Sequence, residues 1–208
     1  MHKYIFVFML LLFSGVKAQE VKMTNLEIDS FKKLIKEVSK NSTTITADFV
    51  QLKHMDFLTN DIETIGKMAF KAPNWVKWEY TEPYVYSVIF KDNQLLINDG
   101  GTKSDVNVSS SKTFKKLNDL IINSVTGDMF DDDSFEITYF IEGEQNRVVL
   151  VSKDKKLSAL IETFVLHFEK DTGAVLEVKM IEPSQDYTKI VFTNRIENAK
   201  IDDEVFTN

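Results

Sequence analysis

The chain has 208 residues, of which 43% are hydrophobic and 27% charged, a balance that supplies a core and argues against disorder. Its 25 Lys+Arg against 32 Asp+Glu give a net charge of −7, so it lacks the cationic excess that sequence-independent nucleic-acid binding requires. Zero Cys excludes disulfides, thiol nucleophiles and Cys-ligated metal sites.

The N-terminus reads His2 and Lys3, an apolar run from Tyr4 to Phe13, then Val16 and Ala18 at the small-residue positions before a cleavage point. This pattern predicts a secretory signal peptide over residues 1–18, cleaved after Ala18. The apolar run is about half the ~20 residues that a membrane-spanning helix needs. No Cys stands at the cleavage point, so no lipid anchor is expected. The remainder, 19–208, is expected to form a single domain.

Thr24-x-x-Glu27 is a capping box, with Met23 and Ile28 at hydrophobic-staple positions. Phe31, Leu34, Ile35 and Val38 then follow helical spacing, and Lys32, Lys33, Lys36 and Lys40 take the opposite, solvated face. After this helix the apolar period falls to two. Strands are predicted near 44–53, 63–72, 75–81, 85–91, 94–99, 103–108, 135–142, 147–152, 161–169, 174–182 and 187–194. The turns between them are short, which joins antiparallel neighbours. The expected fold is mainly β with some α: a meander of about eleven strands, curled by accumulated twist into an incomplete barrel and covered by helices. A second helix is predicted after Ser109-Ser110-Ser111, with Phe114, Leu117, Ile121 and Val125 on one stripe and Gly127 as its stop. The acidic run Asp131-Asp132-Asp133 lacks the spaced ligands of a calcium loop and reads as a solvated loop.

No catalytic constellation emerges. After signal removal only His54 and His167 remain, one near a strand end and one opposite the Phe164, Leu166, Phe168 face of its strand. Gly-x-Ser-x-Gly, P-loop, His-Glu-x-x-His and dinucleotide-binding motifs are missing. The expectation is a protein that is not an enzyme and uses no cofactor or metal. Strand alternation instead gathers apolar side chains on shared faces. Met68, Phe70 and Ala72 share one, Val76, Trp78 and Tyr80 the next, then Val88 and Phe90. Phe135, Ile137 and Tyr139 form another, followed by Phe164, Leu166 and Phe168, and by Leu176, Val178 and Met180. The pattern alone fits either an ordinary sheet–helix core or a cavity for an apolar ligand.

The stretch from Gly66 to Pro83, Gly-Lys-Met-Ala-Phe-Lys-Ala-Pro-Asn-Trp-Val-Lys-Trp-Glu-Tyr-Thr-Glu-Pro, resembles the signature of LolA-type outer-membrane lipoprotein carriers. Phe49-Val50-Gln51 is similar to that family's Phe-x-Gln. Asp92-Asn93 stands where its members usually have Asp-Gly, and Asn tolerates the same left-handed geometry. Asp186-Tyr187-Thr188, Phe192-Thr193-Asn194, Asn198, Asp203 and Phe206 resemble its C-terminal pattern. The resemblance implies an open antiparallel barrel lidded by helices, and a monomeric periplasmic chaperone that holds lipoprotein acyl chains. Cargo would come from an inner-membrane ABC exporter and pass to an outer-membrane receptor. A related half-barrel module that carries another lipid or senses envelope stress is the alternative. On this reading Phe49, Met68, Phe70, Ala72, Val76, Trp78, Tyr80, Val88, Phe90, Phe164, Leu166 and Phe168 line the cavity, and Phe114, Leu117 and Ile121 lie on the lid helix. Relatives carry Arg where this chain has Ala72, so lid closure through apolar contacts alone is expected here.

Overall fold

The computed structural model describes residues 20–92, 94–107, 122–123, 130 and 133–207. The signal peptide and the lid residues Phe114, Leu117 and Ile121 lie outside them. Of the expected second helix, residues 122 and 123 are described as helical, and Ile122 is buried in the main core.

Among the described residues, twelve antiparallel strands form one sheet that does not close into a barrel. In chain order they are β1 Glu20–Lys22, β2 Thr44–His54, β3 Ile62–Lys71, β4 Trp75–Glu82, β5 Tyr86–Lys91, β6 Gln94–Asp99, β7 Thr102–Asn107, β8 Phe135–Glu142, β9 Gln145–Ser152, β10 Thr163–Glu169, β11 Val175–Ile181 and β12 Tyr187–Glu197. The spatial order is β1-β8-β9-β10-β11-β12-β2-β3-β4-β5-β6-β7. Two meanders, β2–β7 and β8–β12, are thus joined by the β12–β2 pair. Eleven of the strands were expected. The twelfth, β1, is three residues long, too short for alternation to show, and it pairs with β8 through Val21 and Ile141.

Helix α1, Asn25–Asn41, starts at the capping box. The Glu27 carboxylate accepts from the Thr24 backbone N–H at 2.8 Å, and the Glu27 N–H donates to Thr24 Oγ1 at 3.4 Å. Phe31 and Ile35 are the buried part of its stripe, and the helix rests on the sheet through them. Phe31 meets Phe168 edge-on at 5.2 Å and Tyr139 at 6.3 Å, so α1 covers the β8–β10 part of the sheet. A one-turn helix α2, Lys155–Ser158, capped by Asp154, links β9 to β10.

Alternation sorts the strand side chains onto two faces. The main core takes one face from every long strand, and a smaller core of Ala69, Ile89 and Phe206 forms on the other. This second core exists because a 3-10 turn, Asp203–Phe206, folds back onto the outer face. Lys71 secures it by pairing with Asp203 and donating to the Ile201 carbonyl at 3.2 Å.

Candidate functional site

The inner face is continuous across neighbouring strands, as the register shows. Ile45, Ala47 and Phe49 stand opposite Phe70, Met68 and Gly66. Gly66, Met68 and Phe70 stand opposite Tyr80, Trp78 and Val76. Val76 and Trp78 stand opposite Phe90 and Val88. On the other meander Phe164 and Leu166 lie between Leu150 and Val148 on one side and Met180 and Val178 on the other. The join is aromatic, with Phe192 opposite Phe49 across β12 and β2. Phe49 contacts Trp78 at 5.0 Å and Tyr80 at 5.2 Å, both edge-on.

Eleven of the twelve expected cavity residues belong to this one face. Phe49, Met68, Phe70, Val76, Trp78, Phe90, Phe164, Leu166 and Phe168 are buried in the main core, and Tyr80 and Val88 pack against it half-buried. Ala72 does not join them. Strand β3 ends at Lys71, and Ala72 sits exposed in the turn, its N–H donating to the Thr43 carbonyl at 2.8 Å. Strand parity therefore does not extend to it. Val148, Leu150, Leu95 and Ile190 share the face although their orientation was not assigned from sequence, and their period-two spacing was the available signal. Leu176 is displaced from it. A register shift between His167 and Phe168 brings Val175 opposite Phe168, so Val175 is buried, and Leu176 lines, with Val175 and Phe192, a crevice of 660 Å³ against Leu34 and Val38 of α1.

The face becomes polar toward its β2–β3 loop end. There the Tyr80 hydroxyl donates to Gln51 Oε1 at 3.1 Å. Burial, reinforced by Tyr86, pushes the Tyr80 hydroxyl above its ordinary pKa, so it remains a donor. Lys53, next along β2 on the same face, pairs with Glu182.

His54 and His167 lie off this apolar surface. The His54 ring stacks on Tyr187 at 4.7 Å, and its Nδ1 lies 2.7 Å from Asp61 Oδ1. The hydrogen bond to Asp61 holds its pKa above the usual value. His167 sits between Glu142 and Glu177, at 3.5 and 3.6 Å, on the outer face of β10. Among the described residues no group of three His, Asp or Glu is placed to hold a metal. No described helix is long and apolar enough to cross a membrane.

An open half-barrel with an apolar inner face and a helix laid across part of it defines the class. The family model described as outer membrane lipoprotein carrier protein LolA matches residues 40–208, and the chain belongs to that family. No curated protein matches it. Among solved structures, a chain of the Pseudomonas aeruginosa MucA/MucB complex aligns with 11% identity and a TM-score of 0.53, over 86% of this chain and 61% of that one. An uncharacterized conserved protein from Thermus thermophilus aligns with 7% identity and a TM-score of 0.51, over 85% and 92%. A LolA superfamily protein from Nitrosomonas europaea aligns with 9% identity and a TM-score of 0.45, over 86% and 97%.

Proposed function

We propose that this chain carries lipoproteins between membranes, shielding their acyl chains against the inner face of the half-barrel. One observation carries the reading: side chains from both meanders form a single apolar surface running through Phe164, Phe192, Phe49, Trp78 and Phe90. Burying each CH₂ group is worth ~0.8 kcal/mol, so an acyl chain of ~16 carbons held here is spared on the order of 10 kcal/mol of exposure to water. A carrier must also release its load, and Met68 and Met180 provide adaptable packing. On this reading the signal peptide is removed after Ala18, the protein works in the periplasm, and it takes cargo from an inner-membrane ABC exporter for an outer-membrane receptor. No catalytic step is involved.

The second reading is a half-barrel that binds another lipid or senses envelope stress, on the fold that a chain of the MucA/MucB complex shares. Mass spectrometry of material co-purified with the protein from its native envelope separates the two. Triacylated lipoproteins are expected. Free lipid alone would favour the second reading. Trp78→Asp is expected to lose uptake of a fluorescent acyl probe while circular dichroism still reports a folded sheet. Undiminished uptake would remove Trp78 from the site.

A further inference from the structure

Gln51 and Thr64 face each other directly across the β2–β3 pair, one inward step beyond Phe49 and Gly66. Alternation puts both on the apolar side of the sheet. The Thr64 hydroxyl is buried and has no hydrogen-bond partner among the described residues. Native structures rarely leave such a group unpaired, because it has lost water without gaining a substitute. Valine would fill the same volume at no such cost. Gln51 is half committed: its carbonyl oxygen accepts from Tyr80, while its NH₂ group keeps donors to offer. The site therefore offers donors, a hydroxyl and an amide, to a ligand group that accepts. The positive charge that follows on the same face, Lys53, is already matched by Glu182. An uncharged acceptor fits this environment better than a phosphate. Away from this band, β2 runs six residues from Gln51 to Ile45, about 20 Å at ~3.4 Å per residue, past Phe49 and Ala47.

We propose that Gln51 and Thr64 are the polar end of the acyl site and hydrogen-bond the ester carbonyl oxygens from which the bound acyl chains hang. The inference rests on the carrier reading above and adds a direction to it. Esters sit between Gln51 and Thr64, and tails run toward Ile45 and Phe70. Lipoproteins and glycerophospholipids both offer such esters, so the shared chemistry is the acyl ester.

The test compares three probes on the mature protein by tryptophan fluorescence: diacyl phosphatidylcholine, its dialkyl ether analogue of equal chain length, and a synthetic triacylated lipopeptide. The ether lipid keeps chains and headgroup but lacks the carbonyls. Wild type is expected to bind the ester lipid at least roughly 2- to 10-fold more tightly than the ether, the range of a single net hydrogen bond. Thr64→Val should lower that ratio and weaken lipopeptide binding, while Thr64→Ser should retain both. Lipopeptide binding that is sensitive to Thr64→Val, without binding of phosphatidylcholine, would support the site and assign its esters to lipoproteins. Thr64→Val should also raise the Tm of the empty protein, since it deletes an unpaired buried hydroxyl. Equal ester and ether affinities in wild type, or a lower Tm for Thr64→Val, would overturn the proposal and leave the carrier reading standing. Binding of none of the three probes would overturn the carrier reading itself.

Discussion

Phe49 lies where a side chain on Gly66 would be. A Cβ built on Gly66 would stand 2.5 Å from Phe49 Cζ and closer still to the Glu79 carbonyl oxygen. The ring can turn away, but the carbonyl belongs to the paired strand and cannot. The glycine is required by close approach, since the Phe49 ring takes its place on the inner face and carries it to Trp78 and Tyr80. Gly66→Ala is therefore expected to destabilise the fold by roughly 1–3 kcal/mol, the usual cost of overpacking, read as a lower urea midpoint. An unchanged midpoint would show that β4 yields. Legibility at this scale was partial. Phe49, Gln51 and Gly66 stood out as family-like residues, but a linear pattern cannot state that Phe49 covers Gly66, or that Gln51 opposes Thr64. Ala72 shows the converse failure. Parity from Met68 and Phe70 assigned it a face, yet parity holds only while the strand lasts, and β3 stops one residue earlier.

Among the elements, strands of six residues or more were legible because each carries several turns of the period-two signal. What escaped were irregularities that alternation cannot encode. The shift between β10 and β11 exchanged Val175 for Leu176 in the core, and β1 was too short to register. The return of the C-terminus was also unread in physical terms, although Asn198, Asp203 and Phe206 were noted as family-like. In the structure Asn198 Oδ1 accepts from the Thr43 N–H at 2.8 Å, and Thr44 Oγ1 donates to the Ala199 carbonyl at 2.6 Å. These bonds turn the chain past the start of β2 and deliver Phe206 to the outer face. There it is 0% exposed, against Ala69, Ile89 and the Trp75 ring at 5.6 Å. The Trp75 ring is itself held by Lys91, 3.9 Å from its centroid, and by its Nε1–H donating to Asp92 Oδ1 at 3.1 Å. Phe206→Ala should thus cost about 3–5 kcal/mol, typical of a buried phenylalanine. Asp203→Asn should change the urea midpoint far less, because the Lys71–Asp203 pair is open to solvent and screened. Equal effects would mean that the ion pair, and not the apolar plug, holds the segment.

Across the whole molecule, each meander is built from neighbours in sequence, and the β12–β2 pair is the joint between them. That joint runs from Tyr187–His54 to Glu197–Ile45, with a shift between Thr193 and Ile196. On its inner side it bears Phe192 and Phe49, and Phe192 reaches Trp78 at 6.0 Å. An acyl chain lying on the inner face there would touch both meanders at once, so its binding energy would resist their separation as well as local opening. The expected consequence is global. Ligand present at 100 times its Kd stabilises the native state by about 2.7 kcal/mol, which in a domain of this size raises Tm by roughly 5–10 °C. Because burial of apolar area drives the gain, the shift should change little between low and high salt, where an ionic contribution would be screened. Trp78→Ala should shrink the ligand-induced shift in addition to lowering the Tm of the empty protein, since the indole is buried at the joint and meets the ligand there. Differential scanning calorimetry with a saturating acyl probe measures all three quantities. A probe that binds with this affinity but leaves Tm unmoved would show that it binds the unfolded chain as well as the folded one. A shift that collapses with added salt would point to headgroup charge, and not chain burial, as the source of affinity.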